Sequence, residues 1–161
     1  MYKIGDYVVY RKEVCKVLEI NKNFYRNMDY YRLIPVNDDS LKLDVPVNSK
    51  CIRDVIDKSR VEEIINNIPN IDIIKGNDKY IENDYKELMT SGKHEDLVKI
   101  IKTTYLRNKE RIDNKKKVTD KDISYFKQAE KYLYTEFSVV LGLNYENTKN
   151  YVISKVEGLK H

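Results

Sequence analysis

In the first fifty residues apolar and polar side chains alternate with a period of two, and β-branched and aromatic types dominate, which predicts strands. Leu41, Leu43, Val45 and Val47 share one face of such a strand, and Lys42 and Asp44 face the other way. Residues 29–36 form a second run, joined to the first by the turn-forming Asn37-Asp38-Asp39-Ser40, so the pair predicts a hairpin. Upstream, 7–10 and 14–20 predict two further strands, with Gly5-Asp6 as an entry turn and 21–27 as a loop. Four or five short strands in so few residues predict a small, strongly bent barrel or half-barrel. Pro46 cannot donate to a central ladder, which puts the last strand at an edge.

From Ser59 the apolar spacing changes to that of helices, and Ser59-Arg60-Val61-Glu62 has the form of a capping box. A short helix to residue 67 follows, Pro69 ends it, and Ile71 to Ile74 form an apolar connection that is expected to pack. Helices are predicted over 78–90, 94–112 and 119–141, the last opened by Thr119-Asp120-Lys121-Asp122 and carrying Ile123, Phe126, Leu133, Phe137 and Val140 on one face. Gly142 is a natural stop, and a final helix is predicted over 145–156 before Gly158. The fold class is α+β: a β module over 1–50, a linker with a short helix over 51–69, and an all-α domain over 70–161.

Composition narrows the function. A chain of 161 residues with apolar side chains in every segment is a folded one or two domains, which excludes a large multidomain enzyme. No apolar run approaches the length of a membrane span and the first residues lack a signal-peptide layout, so a soluble, cytoplasmic protein with no membrane partner is expected. Two cysteines are too few for a disulfide framework, and apolar neighbours suggest that Cys15 and Cys51 are buried thiols. His94 opens His-Glu-Asp-Leu, not a zinc-protease motif, and His161 is the last residue. There is no Cys-x-x-Cys pair, glycine-rich phosphate loop or Gly-x-Ser-x-Gly elbow. The chain therefore reads as a non-enzyme, with no catalytic residue, metal, cofactor or small-molecule substrate implied.

Charge is unevenly placed. Residues 1–66 hold 12 basic and 11 acidic residues, whereas 99–131 hold 11 basic against 5 acidic, net +6. Arg107 and Arg111 lie four apart on one helix face, with Lys102, Tyr105 and Lys109 near them, and Asn114-Lys115-Lys116-Lys117 follows. Lys121, Lys127 and Lys131 extend the charge along the next helix. Such a surface attracts phosphates with a salt-sensitive, sequence-independent affinity, and the same lysines equally fit a solvated helix face. In the β module the outward Lys42 and Asp44 mark an edge strand bounded by the loop around Tyr25 and Arg26. That edge either accepts a partner's strand or is merely protected by charge and Pro46. A β-barrel RNA- or ribosome-binding module, and a protein adaptor, are the alternative readings.

Ile4-Gly5-Asp6-Tyr7-Val8-Val9-Tyr10, then Val17-Leu18-Glu19-Ile20, Asp29-Tyr30-Tyr31-Arg32-Leu33 and Leu41-Lys42-Leu43-Asp44-Val45-Pro46-Val47 resemble the N-terminal RNA-polymerase-interacting module of the CarD/CdnL transcription regulators. The C-terminal part is similar too, through Leu88-Met89-Thr90-Ser91-Gly92, Tyr105-Leu106-Arg107-Asn108-Lys109-Glu110-Arg111 and the helix at Ala129 to Leu133. Transcription-repair coupling factors share the first module but continue into a helicase, for which this chain is too short.

The resemblance implies a Tudor-like β module that docks on the RNA polymerase β subunit through Tyr25, Arg26, Lys42 and Asp44. It implies a helical domain that contacts promoter DNA upstream of the melted bubble, largely independently of sequence, and stabilises the open complex without catalysis. Arg107, Lys109, Arg111, Lys127 and Lys131 would face phosphates, with Lys79 and Tyr80 beside them. Many members wedge a Trp into the minor groove at the bubble's edge, and this chain has no Trp. Tyr80, in Asn77-Asp78-Lys79-Tyr80, is the nearest aromatic and equally fits a core position. The family's Pro-x-x-Gly turn after the first strand is here Arg11-Lys12-Glu13-Val14.

Overall fold

A computed structural model describes residues 1–159 and divides the chain into two compact units, Met1–Ile56 and the residues from Asp57 onward. The first unit is a five-stranded antiparallel sheet: β1 (Tyr7–Tyr10), β2 (Glu13–Tyr25), β3 (Met28–Pro35), β4 (Leu43–Pro46) and β5 (Ile52–Asp54), in the order β4-β3-β2-β1-β5. Alternation drives it. Tyr31 and Leu33 on β3 are buried with Val8, Cys15, Val17 and Val45, and each large apolar side chain so covered contributes about 1.5–3 kcal/mol. Pro46 ends β4, which is an edge strand as its proline requires.

Several boundaries differ from the sequence expectation. Residues 21–25 are not loop but the end of β2, which runs 13 residues and absorbs register shifts between Val17 and Glu19 and between Asn21 and Tyr25. From Lys22 on, this end pairs with β3 beyond the reach of β1 and β4, so it lacks the one-sided burial that makes a strand legible. Arg26 and Asn27, both at positive φ, close the hairpin as a two-residue turn. Leu41 lies before β4 in the turn and is exposed. Cys51 is exposed in the turn before β5, and Cys15 alone is a buried thiol.

The second unit holds α1 (Lys58–Asn67), α2 (Ile81–Ser91), α3 (His94–Asp113), α4 (Asp120–Leu141) and α5 (Tyr145–Leu159), with 3-10 turns at Ile68–Asn70 and Asp78–Tyr80. Within 51–69, β5 pairs with β1 and α1 buries Val61, Ile64 and Ile65 in the helical unit, and the division between the units falls between Ile56 and Asp57. The α1 cap is Asp57, whose carboxylate accepts from Arg60 N at 2.8 Å, rather than Ser59. Thr119 caps α4 as its sequence suggests, accepting from Asp122 N at 3.2 Å. Ala129, Leu133 and Phe137, four apart, form the inner stripe of α4, facing a core shared with Leu97 and Ile100 of α3 and Tyr85 of α2. Gly142 stops α4 in the left-handed region, φ 69°, which a side chain would resist. Gly158 does not stop α5, which runs through it to Leu159.

Candidate nucleic-acid interface

In the β unit, the four residues assigned to a protein partner sit at two ends of one edge. Tyr25 is 55% exposed at the hairpin tip, with the Arg26 guanidinium stacked over its ring at 5.1 Å; Phe24 beside it packs on Tyr30. Lys42 is exposed just before β4, and Asp44 is exposed on it. The tip lies past the Pro46 end of β4 and Lys42 lies past the other end. Five residue steps along β3 separate the Tyr25–Met28 pair from the Leu33–Leu43 pair, about 17 Å of strand.

Asp44 is not a free carboxylate. Arg32, its register partner on β3, donates to it from Nε at 3.0 Å and from Nη2 at 3.4 Å, and Glu19 on β2 stands 3.8 Å from the same guanidinium. Glu19, Arg32 and Asp44 make a negative-positive-negative row across three strands on the solvent side. Sequence reasoning missed Glu19 and Arg32, although cross-strand register, once known, makes the row inevitable.

The helical unit divides its basic residues into two kinds. Arg107 and Lys102 are committed internally. Arg107 Nε donates to Asp122 Oδ2 at 3.1 Å and Nη1 to Asp78 Oδ1 at 2.6 Å; Tyr85 OH donates to Asp122 Oδ1 at 2.8 Å. Asp122 and Tyr85 are fully buried, and the Arg107 side chain is 18% exposed. Burial, then the bond to Asp122, pushes the Tyr85 hydroxyl above its ordinary range, and the Arg107 guanidinium holds the Asp78 carboxyl below its own. Arg107 is therefore held by two carboxylates and ties α2, α3, α4 and the Asp78–Tyr80 turn together, where its helix-face spacing alone suggests a cation free for phosphate. Lys102 Nζ likewise donates to the carbonyls of Ile68 and Ile71, at 2.8 and 2.6 Å, rather than lying free on the surface.

The second kind faces solvent. Lys79, Lys109 and Lys127 are exposed and enter no ion pair among the described residues; Lys131 is exposed on the same face of α4 as Lys127. Lys79 Nζ stands 5.7 Å above the ring of Tyr80, and Tyr80 is 55% exposed, so it is not a core residue. Tyr105, Leu106 and Ile112 of α3 are also exposed. The three-lysine segment after α3 is a tight cap: Lys115 is left-handed at φ 57°, Lys115 N donates to Ile112 O at 3.0 Å and Lys116 N to Arg111 O at 2.7 Å. Arg111 is half-buried and its Nη1 reaches Lys117 O at 3.4 Å. A surface pocket of about 140 Å³ lies between Asp78, Arg107, Glu110, Arg111, Asn114 and Lys116.

His94 Nε2 lies 2.8 Å from Glu136 Oε1, joining α3 to α4 with the histidine nearly covered; His161 lies outside the described residues. No group of three or more His, Cys, Asp and Glu side chains among the described residues is placed to hold a metal ion, and no described helix is long and apolar enough to cross a membrane. No protein-family model matches the chain, and no curated protein matches it.

Proposed function

We propose that this chain is a non-enzymatic cytoplasmic regulator of transcription initiation of the CarD/CdnL type, with a Tudor-like first unit that binds the RNA polymerase β subunit and a helical unit that holds promoter DNA upstream of the bubble. The observation that carries the reading is the fit between motif and topology. The four segments that resemble the family fall on β1, β2, β3 and β4, and the last of them is a sheet edge with an unpaired side. An edge of this kind accepts a partner strand, with the Tyr25–Arg26 tip at one end and Lys42 at the other giving specificity.

On the helical unit, Lys79, Lys109, Arg111, Lys127 and Lys131 supply cations for phosphates, and Tyr80 supplies an exposed ring at a helix entrance. An aromatic side chain pressed against a partly unstacked step favours the melted DNA, so binding energy available only to the open state shifts the population toward it. Affinity for DNA alone is expected to be weak, insensitive to sequence and steeply reduced by salt.

The test is retention by an immobilised polymerase β-subunit fragment, followed by open-complex lifetime on a promoter. Wild type is expected to bind and to lengthen the lifetime, and Asp44→Arg to lose both. The exchange Glu19→Lys/Arg32→Asp/Asp44→Arg inverts the whole row while keeping both of its pairings, and should stay unbound, which separates recognition from folding. Wild type that neither binds the fragment nor changes the lifetime overturns the reading, and a preference for single-stranded RNA replaces it with an RNA-binding module.

A further inference from the structure

We propose that the Asp78–Arg107 ion pair is a latch that sets the position of the Lys79–Tyr80 turn, making Arg107 a positioning residue for the DNA-facing tyrosine rather than a DNA contact. The inference deepens the proposed function and rests on it only for the role of Tyr80. The turn has little else to hold it. Residues 75–80 are six consecutive exposed residues between two anchors, Ile74, whose amide donates to Thr103 Oγ1 at 2.9 Å, and Ile81, which is buried. Gly76 sits in that span at φ 146°, with no atom near the place a Cβ would occupy. It is a joint without a side chain to restrain it.

Within the span the turn closes on itself: Asn77 Oδ1 accepts from Lys79 N at 3.0 Å and Asn77 O from Tyr80 N at 3.0 Å. These bonds shape the turn but do not attach it. Among the described residues, Asp78 to Arg107 is the one side-chain hydrogen bond or ion pair from 75–80 to the rest of the unit, at 2.6 Å. The Asp78 end is 72% exposed, and the Arg107 end is fixed from below by the wholly buried Asp122 and, through it, by Tyr85. One end of the latch is thus rigid and the other opens to solvent. The pocket beside it, with Arg111 and Lys116 on its wall, leaves Asp78 room to swing away.

The experiment compares wild type, Asp78→Asn and Asp78→Glu by hydrogen–deuterium exchange and by binding to two fluorescent DNAs, a forked duplex and a closed duplex of the same sequence. In Asp78→Asn the amides of Lys79, Tyr80 and Ile81 are expected to exchange about two- to fivefold faster, the range of a partly exposed ion pair, with the helical core unchanged. Asp78→Glu keeps the charge and is expected to restore most of the protection. Loss of a negative charge strengthens binding to both DNAs alike, so the functional readout is the fork-to-duplex preference, which should fall in Asp78→Asn and return in Asp78→Glu. Unchanged exchange at these amides overturns the latch. Faster exchange in a protein whose wild type never prefers the fork supports the latch and removes the DNA role of Tyr80, so the two failures are distinct.

Discussion

Replacing Arg107 by Met separates a structural cation from a phosphate contact. The substitution keeps the unbranched stem and removes both guanidinium bonds, leaving the fully buried Asp122 carboxylate with Tyr85 OH as its remaining side-chain donor. Removing one partner of a buried ion pair costs about 3–5 kcal/mol. Because Arg107 is 18% exposed, water reaches the vacated position and the lower end applies, about 3 kcal/mol. For a helical unit of roughly 100 residues the entropy at the midpoint is about 0.2 kcal/mol/K, so the melting temperature should drop by about 14 °C. Thermal denaturation followed by circular dichroism at 222 nm reads this directly. The triple replacement Tyr85→Phe/Arg107→Met/Asp122→Leu removes all three polar partners together and should recover more than half of the loss, since no buried charge is then orphaned. A melting temperature for Arg107→Met within about 3 °C of wild type, with a flatter salt dependence of DNA binding, would refute the reasoning and return Arg107 to the surface.

Two further outcomes follow from the geometry. Lys115→Gly should raise stability by about 0.5–1 kcal/mol, because a left-handed residue with a Cβ is strained at the end of α3 and glycine is not; a lower melting temperature would contradict the cap. A thiol reagent should modify one cysteine, Cys51, in the native protein, and Cys15 only after denaturation. Cys15 is fully buried, and burial, then the Glu13 charge, pushes its thiol up to about 11. Two fast-reacting thiols at neutral pH would contradict the packing of β2.

Where the sequence could be read, one face was buried and the other was not. β3 and the stripe of α4 have that asymmetry, and their positions follow from spacing alone. β5 has three residues, too few for a period to declare itself, and its pairing with β1 is decided by distant chain. The outer half of β2 is a two-stranded ribbon wetted on both faces, so its Asn and Lys residues look like loop. For the site, the pattern of lysines was legible and their partners were not. Asp122 has the place of a helix-start acid, and nothing local distinguishes it from Asp120, which is exposed, until α3 brings Arg107 against it. Tyr80 and Cys51 show the same limit: each is a residue type at home in a core, followed by an isoleucine, and each is exposed in the fold.

The first residues carry a consequence for the order of events in folding. Tyr2 N donates to Tyr31 OH at 3.1 Å and Tyr2 OH donates to Asp54 at 2.6 Å, so one residue near the start binds both the middle and the end of its unit. β1 takes β5 as its second neighbour over a comparable separation. These are contacts of high sequence separation, and the loop-closure entropy is lost before they form. On a ribosome the β2–β3 ribbon can pair as soon as it emerges, whereas β1 keeps an open side until residues 52–54 are out. The helical unit, whose helices are each made of neighbouring residues, has no such wait within them. Completion of the first unit is thus expected to wait for its last strand, the three residues of β5.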